Sequence, residues 1–224
     1  MRKHGFTQLL SDPCVYIHRD HKGITIITVW VDDLLLFALS EEAMTIMKDN
    51  LKSKWQMTDL REPSKIIGIE ITIDDRSVMI SQKKYIENIL IKEGLKRANP
   101  VSMPLDSNTP LVPNPDEGEA DQSNSYLRLL RELQFLANAT RPDTAFVVNR
   151  LASYTADPSL QHILALKHVL RYLARTKSYG IRYMAEPDKT NLFYGYADAA
   201  YGNLDEQRST SGYVFITGRG AITW

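Results

Sequence analysis

Residues 24–39 read Ile24-Thr25-Ile26-Ile27-Thr28-Val29-Trp30-Val31-Asp32-Asp33-Leu34-Leu35-Leu36-Phe37-Ala38-Leu39. Ile24 to Val31 is dense in β-branched residues, and Leu34 to Leu39 is a second apolar run, so each half suits a strand. Asp32 and Asp33 sit between the runs, where a hairpin turn is the natural reading. Two carboxylates at such a tip, flanked by apolar strand, gather negative charge that a cation would offset. Their hard oxygens suit Mg²⁺, which takes one or two protein carboxylates together with substrate phosphates. Paired ions of that kind can clamp the attacking and leaving oxygens of phosphoryl transfer. The same pair is also plain turn chemistry, because Asp favours turns. The two residues alone leave both readings open.

Outward from this hairpin, strands and helices alternate. Cys14 to His18 reads as a short strand that carries Cys14 inside it. On the other side Ser40 is placed to cap a helix, with Glu41 and Glu42 in its first turn and a stripe of Met44, Met47, Leu51 and Trp55 on its core face. Ile66 to Ile73 and Ser77 to Ile80 flank Asp74-Asp75-Arg76 as a second hairpin. Ser81 then starts a helix carrying Tyr85, Ile86, Ile89 and Leu90, which Gly94 ends. Three helical patterns follow, over about Tyr126 to Ala139, Pro142 to Tyr154 and Pro158 to Thr176, and then strands at Tyr179 to Met184, Leu192 to Asp198, Ser211 to Thr217 and from Ala221.

The 224 residues suit one or two domains with a real core, and 27 basic residues balance 27 acidic ones. That balance argues against a uniformly basic nucleic-acid binder. Split by segment it looks different. Met1 to Pro104 is near neutral, Leu105 to Ser125 holds five acidic residues and no basic one, and Tyr126 to Thr190 carries ten basic against five acidic. The acidic stretch also holds Pro110, Pro113 and Pro115, so it reads as a linker too polar to offset its ordering entropy. The single cysteine, Cys14, excludes a disulfide framework and a multi-cysteine zinc site, and the five histidines lack metal-ligand spacing. Mean hydropathy is −0.29. No apolar run nears the roughly 18–20 residues of a membrane span, and no apolar stretch follows the basic start, so the expectation is a soluble intracellular protein.

Further motifs share the order of one family. Val31-Asp32-Asp33-Leu34-Leu35-Leu36 resembles the catalytic box of reverse transcriptases. Ile67-Gly68-Ile69-Glu70-Ile71, Ile80-Ser81-Gln82-Lys83-Lys84-Tyr85-Ile86 and Pro100-Val101-Ser102-Met103-Pro104-Leu105 are similar to later landmarks of copia-type LTR retrotransposon polymerases. Thr140-Arg141-Pro142-Asp143, the run Leu166 to Leu173 and the run Arg208 to Phe215 continue the series. Nearly the whole chain is covered, so it resembles a piece of a copia-type Pol polyprotein.

The resemblance implies an α+β chain: a partial palm and thumb over 1–104, the acidic Pro-rich linker over 105–125, a helical connection over 126–190, and an incomplete RNase H-like sheet over 191–224. It makes Asp32 and Asp33 Mg²⁺ ligands (or Mn²⁺ ligands) for nucleotide addition, with Trp30 as an aromatic platform where the family usually has Tyr. Tyr196-Ala197-Asp198 resembles the first RNase H strand, making Asp198 a metal-binding carboxylate, although Ala200-Tyr201 replaces the acidic residue and Trp usual there. The family's other palm aspartate falls before Met1 and the remaining RNase H carboxylates fall after Trp224, so the chain is expected to be truncated, to expose apolar strand edges and to be inactive alone. Lys167, Arg171 and Arg175, spaced i, i+4, i+8, form a basic stripe that fits a phosphate backbone or is an ordinary solvated helix face. The implied partners are an RNA template, a DNA primer, their hybrid and the rest of the polyprotein. The alternative is a non-catalytic transposon remnant with residual nucleic-acid affinity.

Overall fold

In the computed structural model, which describes residues 5–21, 23–106, 111–114, 123–185, 193–202 and 209–224, the chain divides after Pro63. Both units mix helices with antiparallel sheet, an α+β fold. No helix among the described residues is long and apolar enough to cross a membrane.

The first unit, Met1–Pro63, is one sheet and one helix. Strands β1 (Thr7–Gln8), β2 (Val15–Asp20), β3 (Gly23–Trp30) and β4 (Asp33–Ala38) pair in sequence order. Alternation along β3 sends Ile27 into the core, where it meets Met47 and Leu51 of α1 (Glu41–Lys52) with Val29, Leu34 and Leu36 beside it. The cap expected at Ser40 forms: its Oγ accepts the Ala43 N–H at 3.2 Å. Two expectations fail here. Trp55 lies beyond the end of α1 and is 44% exposed, so it rims a cleft with Phe6 and His18 instead of joining the core. Cys14 is exposed in the turn before β2, held by its N–H to Asp12 Oδ1 at 2.8 Å.

The second unit, Ser64–Trp224, carries the larger core. Strands β5 (Lys65–Ile66), β6 (Ile69–Asp74) and β7 (Ser77–Ser81) lead into α2 (Lys83–Lys92). Ser81 remains in β7, and Gln82 stands at the N-cap without a side-chain cap bond. Gly94, with φ +69°, lets the chain leave α2, and Leu95 N–H closes back on Leu90 O at 2.8 Å. Then come α3 (Ser123–Ala139), a 3-10 turn at Pro142–Thr144, α4 (Ala145–Ala152) and α5 (Leu160–Arg175). Leu129, Leu130, Leu133 and Leu136 of α3 are buried against Val147, Val148 and Leu151 of α4 and Leu166, Val169, Leu170 and Leu173 of α5. Ile86, Ile89 and Leu90 of α2 share that core. Burial of each such side chain contributes roughly 1.5–3 kcal/mol.

After α5 the chain returns as β8 (Gly180–Met184), which pairs with β7 across Ser77↔Met184 and Ile80↔Ile181. A further sheet, in order β11-β10-β9, comprises β9 (Tyr194–Ala200), β10 (Thr210–Thr217) and β11 (Gly220–Thr223). It joins β8 through Met184 N–H to Gly218 O at 2.7 Å and Tyr183 O–H to Ala221 O at 2.7 Å. Segments on both sides of the acidic stretch therefore build one unit. Much of that stretch lies outside the described residues, as does Arg208. Within it Leu111 is buried after all, because its carbonyl accepts the Tyr154 hydroxyl at 2.7 Å and its side chain enters the helical core.

Candidate metal centre and nucleic-acid interface

The register of β3 against β4 builds the carboxylate tip. Trp30 faces Asp33 and Val29 faces Leu34, so the loop proper is Val31-Asp32 and Asp33 opens β4. Val31 has φ +51°, in the left-handed region that glycine enters without penalty. A β-branched residue there is strained. Trp30, Val31, Asp32 and Asp33 are all exposed. Because Val29 and Leu34 turn toward α1, their neighbours Trp30 and Asp33 share the opposite face. An indole thus stands beside a carboxylate on a tip that the core anchors from below. The donor set, two adjacent solvent-facing carboxylates, fits an oxygen-seeking divalent cation that keeps water or phosphate oxygens in its other positions. Among the described residues, no cluster of three or more acidic, histidine or cysteine side chains could hold a metal by itself.

Asp198 belongs to the second unit, on β9 opposite Gly212 of β10. Its Oδ1 accepts the Ala199 N–H at 2.9 Å. A side chain added at Gly212 would meet open space, so the shallow recess of about 400 Å³ over Asp198, edged by Tyr196 and Tyr213, stays open.

The basic stripe of α5 is not uniform. Lys167 and Arg175 are exposed, but Arg171 is half-buried and donates Nε–H to Asn99 O at 2.7 Å. His168 Nε2 lies 3.0 Å from Met103 O. The landmark Pro100 to Leu105 thus straps along α5, held by the side chains that alternate with its apolar face.

Sequence reasoning missed two groupings. The first is a buried ionic cluster at Thr140-Arg141-Pro142-Asp143. Arg141, 1% exposed, clasps Asp143 through Nε–Oδ1 at 2.9 Å and Nη2–Oδ2 at 2.6 Å, and donates to Thr176 Oγ1 at 2.6 Å and Thr176 O at 3.2 Å. The rings of Tyr172 and Tyr179 lie 5.6 and 5.7 Å from its guanidinium carbon, and Tyr172 O–H reaches Asp143 Oδ2 at 2.7 Å. Burial pushes the Asp143 carboxyl up, but hydrogen bonds and charge from Arg141, with the Tyr172 bond, outweigh it and hold it below the usual range. Next to it, Thr140 Oγ1 meets Gln82 Oε1 at 2.8 Å. The second grouping is Glu87 on α2, paired with Lys177 at 3.0 Å and within the field of Lys83 and Lys96. The Lys177 hydrogen bond keeps the Glu87 carboxyl below its ordinary value. No spacing rule joins Thr176 to Arg141, Tyr172 to Asp143 or Lys177 to Glu87, which are far apart in sequence.

Residues 1–107 match the family described as "Reverse transcriptase (RNA-dependent DNA polymerase)". Over 98% of its length the chain is 31% identical to the retrovirus-related Pol polyprotein from transposon RE1 of Arabidopsis thaliana, and over its whole length 30% identical to that from transposon TNT 1-94 of Nicotiana tabacum. It covers 15% and 17% of those two proteins. It is also 31% identical, over 88% of its length, to an uncharacterized mitochondrial protein of Arabidopsis thaliana, AtMg00810, of which it covers 80%. No solved structure matches the chain. With the carboxylate hairpin, these likenesses define a protein of the reverse transcriptase class. Within that class, the chain belongs to the family of copia-type retrotransposon Pol polyproteins.

Proposed function

We propose that the chain is the carboxylate-hairpin and connection portion of an RNA-directed DNA polymerase. One observation carries this reading: Asp32 and Asp33 stand exposed on a hairpin tip whose strands are packed onto α1. Asp32 would be a metal ligand with Asp33 beside it, and Trp30 offers a flat face on the same side as Asp33 against which a primer-end base can stack. A bound Mg²⁺, or Mn²⁺ in its place, would supply charge neutralisation at the phosphate oxygens during nucleotide addition. Asp198 would be one carboxylate of an RNase H site. The RNA template, the DNA primer and the RNA–DNA hybrid are the substrates, and the other segments of a Pol polyprotein are the partners. Lys167 and Arg175 would track a phosphate backbone, with Arg171 bracing the strap beneath them.

On this reading the two carboxylates need at least one more acidic ligand from another polyprotein segment, so the isolated chain holds nucleic acid without extending it. The test is primer extension with Mg²⁺ or Mn²⁺, by this chain and by a longer Pol segment that contains it. The expected result is extension only by the longer segment, abolished by Asp32→Ala with Asp33→Ala. Extension by the isolated chain that the double variant abolishes would overturn the need for an outside ligand. Extension by the longer segment that survives the double variant would overturn the role of the hairpin.

A further inference from the structure

His162, in the first turn of α5, is fully buried (0% exposed) and takes no part in the function proposed above. Its Nδ1 accepts the Ser159 N–H at 2.9 Å, while the Ser159 hydroxyl accepts the His162 N–H. An Nδ1 that accepts carries no proton, so the neutral ring holds its hydrogen on Nε2. That Nε2 is buried without a hydrogen-bond partner. The ring stacks on Tyr154, with centroids 4.0 Å apart and planes 15° from parallel. Tyr154 in turn donates its hydroxyl to Leu111 O at 2.7 Å, and Arg150 Nη2 reaches the same carbonyl at 3.3 Å. Asn114 Nδ2 donates to Asp157 Oδ1 at 3.0 Å. Residues 111–114 of the acidic, Pro-rich stretch are thus fastened to the junction of α4 and α5 at both ends, and the His162 ring supports the tyrosine that holds one of them.

This ring is badly placed to take a proton. A proton on Nδ1 would set an N–H against the Ser159 N–H, two donors 2.9 Å apart with no acceptor between them. The Arg150 guanidinium carbon already lies 5.3 Å from the Tyr154 ring centroid, so an imidazolium stacked on that ring would be a second cation there. Among the described residues, the charged groups that act on the imidazole are Arg150 of α4, which opposes a proton, and Asp157 of the turn before α5, which favours one, as does the backbone of Val112. Burial pushes the Tyr126 hydroxyl of α3 up, so it adds no charge behind Tyr154. Burial of His162 is the largest effect and holds the imidazole below its ordinary 6.5.

We infer that His162 is the acid-sensitive pin of a latch: while the ring is neutral, residues 111–114 are fastened over the α4–α5 junction, and proton uptake at Nδ1 releases them. The proton comes from solvent and the only bond formed is N–H. The Ser159 N–H···Nδ1 bond breaks, the ring leaves Tyr154, and the Tyr154 hydroxyl loses its hold on Leu111 O. The released ring takes the proton near its ordinary 6.5 and the fastened ring only below that, so fastening is complete well above 6.5 and is lost as the pH falls. The ratio of released to fastened chain rises by at most about tenfold for each unit of pH. The inference is independent of the polymerase reading and involves none of the residues given a role there.

The experiment follows three NMR signals of the full chain from about pH 8 to about pH 5: the His162 ring nitrogens, the Ser159 amide and the Leu111 methyl groups. All three are expected to change together, with one midpoint below 6.5. His162→Gln keeps the capping box, because Gln accepts the same N–H, and cannot take the proton. It is expected to hold the Ser159 and Leu111 signals constant across the range. Tyr154→Phe removes only the hydroxyl, and is expected to leave Leu111 released at every pH while the Ser159 amide still titrates. A His162 ring that stays neutral down to about pH 5 would overturn the pin, as would Ser159 and Leu111 signals that still titrate in His162→Gln. Titration of His162 and Ser159 with Leu111 unmoved would overturn the latch, and so would a Leu111 that stays fastened in Tyr154→Phe. Should His162→Gln fail to fold, the ring-nitrogen titration of the unaltered chain and Tyr154→Phe decide between the same outcomes.

Discussion

At the scale of single residues, the most consequential is Arg141. A guanidinium 1% exposed survives only because every side of it is matched: a bidentate carboxylate, a threonine hydroxyl and carbonyl, and two tyrosine rings. Removing the carboxylate by Asp143→Asn leaves a charge buried without its counter-ion. Since Asp143 is itself a third exposed, solvent screens part of the loss, and the expected cost is about 2–3 kcal/mol, read from the midpoint of urea unfolding. A cost below about 0.5 kcal/mol would make the cluster an ordinary surface pair. The pair also sets an acid limit. The folded carboxyl titrates below its ordinary value of 3.8, so the unfolded chain takes up the proton first and acid favours unfolding. The stabilisation is whole above about pH 4 and is lost as the pH falls through the lowered folded value. Asp143→Asn is expected to flatten that part of the stability–pH curve.

Elements show where local chemistry suffices and where it does not. The tip of the β3–β4 hairpin holds a valine in a backbone region that glycine occupies without penalty. Val31→Gly is therefore expected to stabilise the first unit by about 1 kcal/mol, seen as a higher melting temperature. A lower one would mean that the valine side chain, although 84% exposed, is held by something other than backbone geometry. The same rules explain what could be read from the residues. Ser40 and Gly94 carry their caps in their own chemistry, and the apolar period marked the helices of the second unit to within a few residues. The Pro142 helix began differently, as a 3-10 turn, because Thr144 donates back to Arg141 O before the α ladder starts. Burial of Arg141 was illegible because a loop arginine reads as solvent-facing. His162 looked idle for want of metal spacing, yet its Nδ1 accepts the Ser159 N–H at 2.9 Å and completes a capping box in which histidine takes the usual place of glutamate. At the site, the motif gave the carboxylates, but only the fold could reveal that Arg171 spends its Nε–H on the strap.

Over the whole molecule, the two units are unequally supported. Among the described residues, the fully buried apolar core of the first is Ile27, Met47 and Leu51, against nineteen residues in the helical core of the second. So small a core leaves little free energy to resist local opening. Amide hydrogen exchange is therefore expected to be faster in β3 and α1 than in α3 and α5, by two orders of magnitude or about 3 kcal/mol. Equal protection would mean that the first unit draws stability from contacts beyond its own core.

The pairing of β7 with β8 has a consequence in time. Arg182 of β8 reaches Ser77 of β7 across 105 residues of chain. On a ribosome adding roughly 5–20 residues per second, the open side of β7 waits on the order of 5–20 s for its neighbour to be made. Through that interval the β6–β7 hairpin presents unpaired amides and carbonyls, with Val78 and Ile80 along them, to any other nascent strand. The helices synthesised in between can collapse first, since their contacts are short-range. Sheet closure is then the late event, and newly made chains are most vulnerable to mispairing just before β8 emerges.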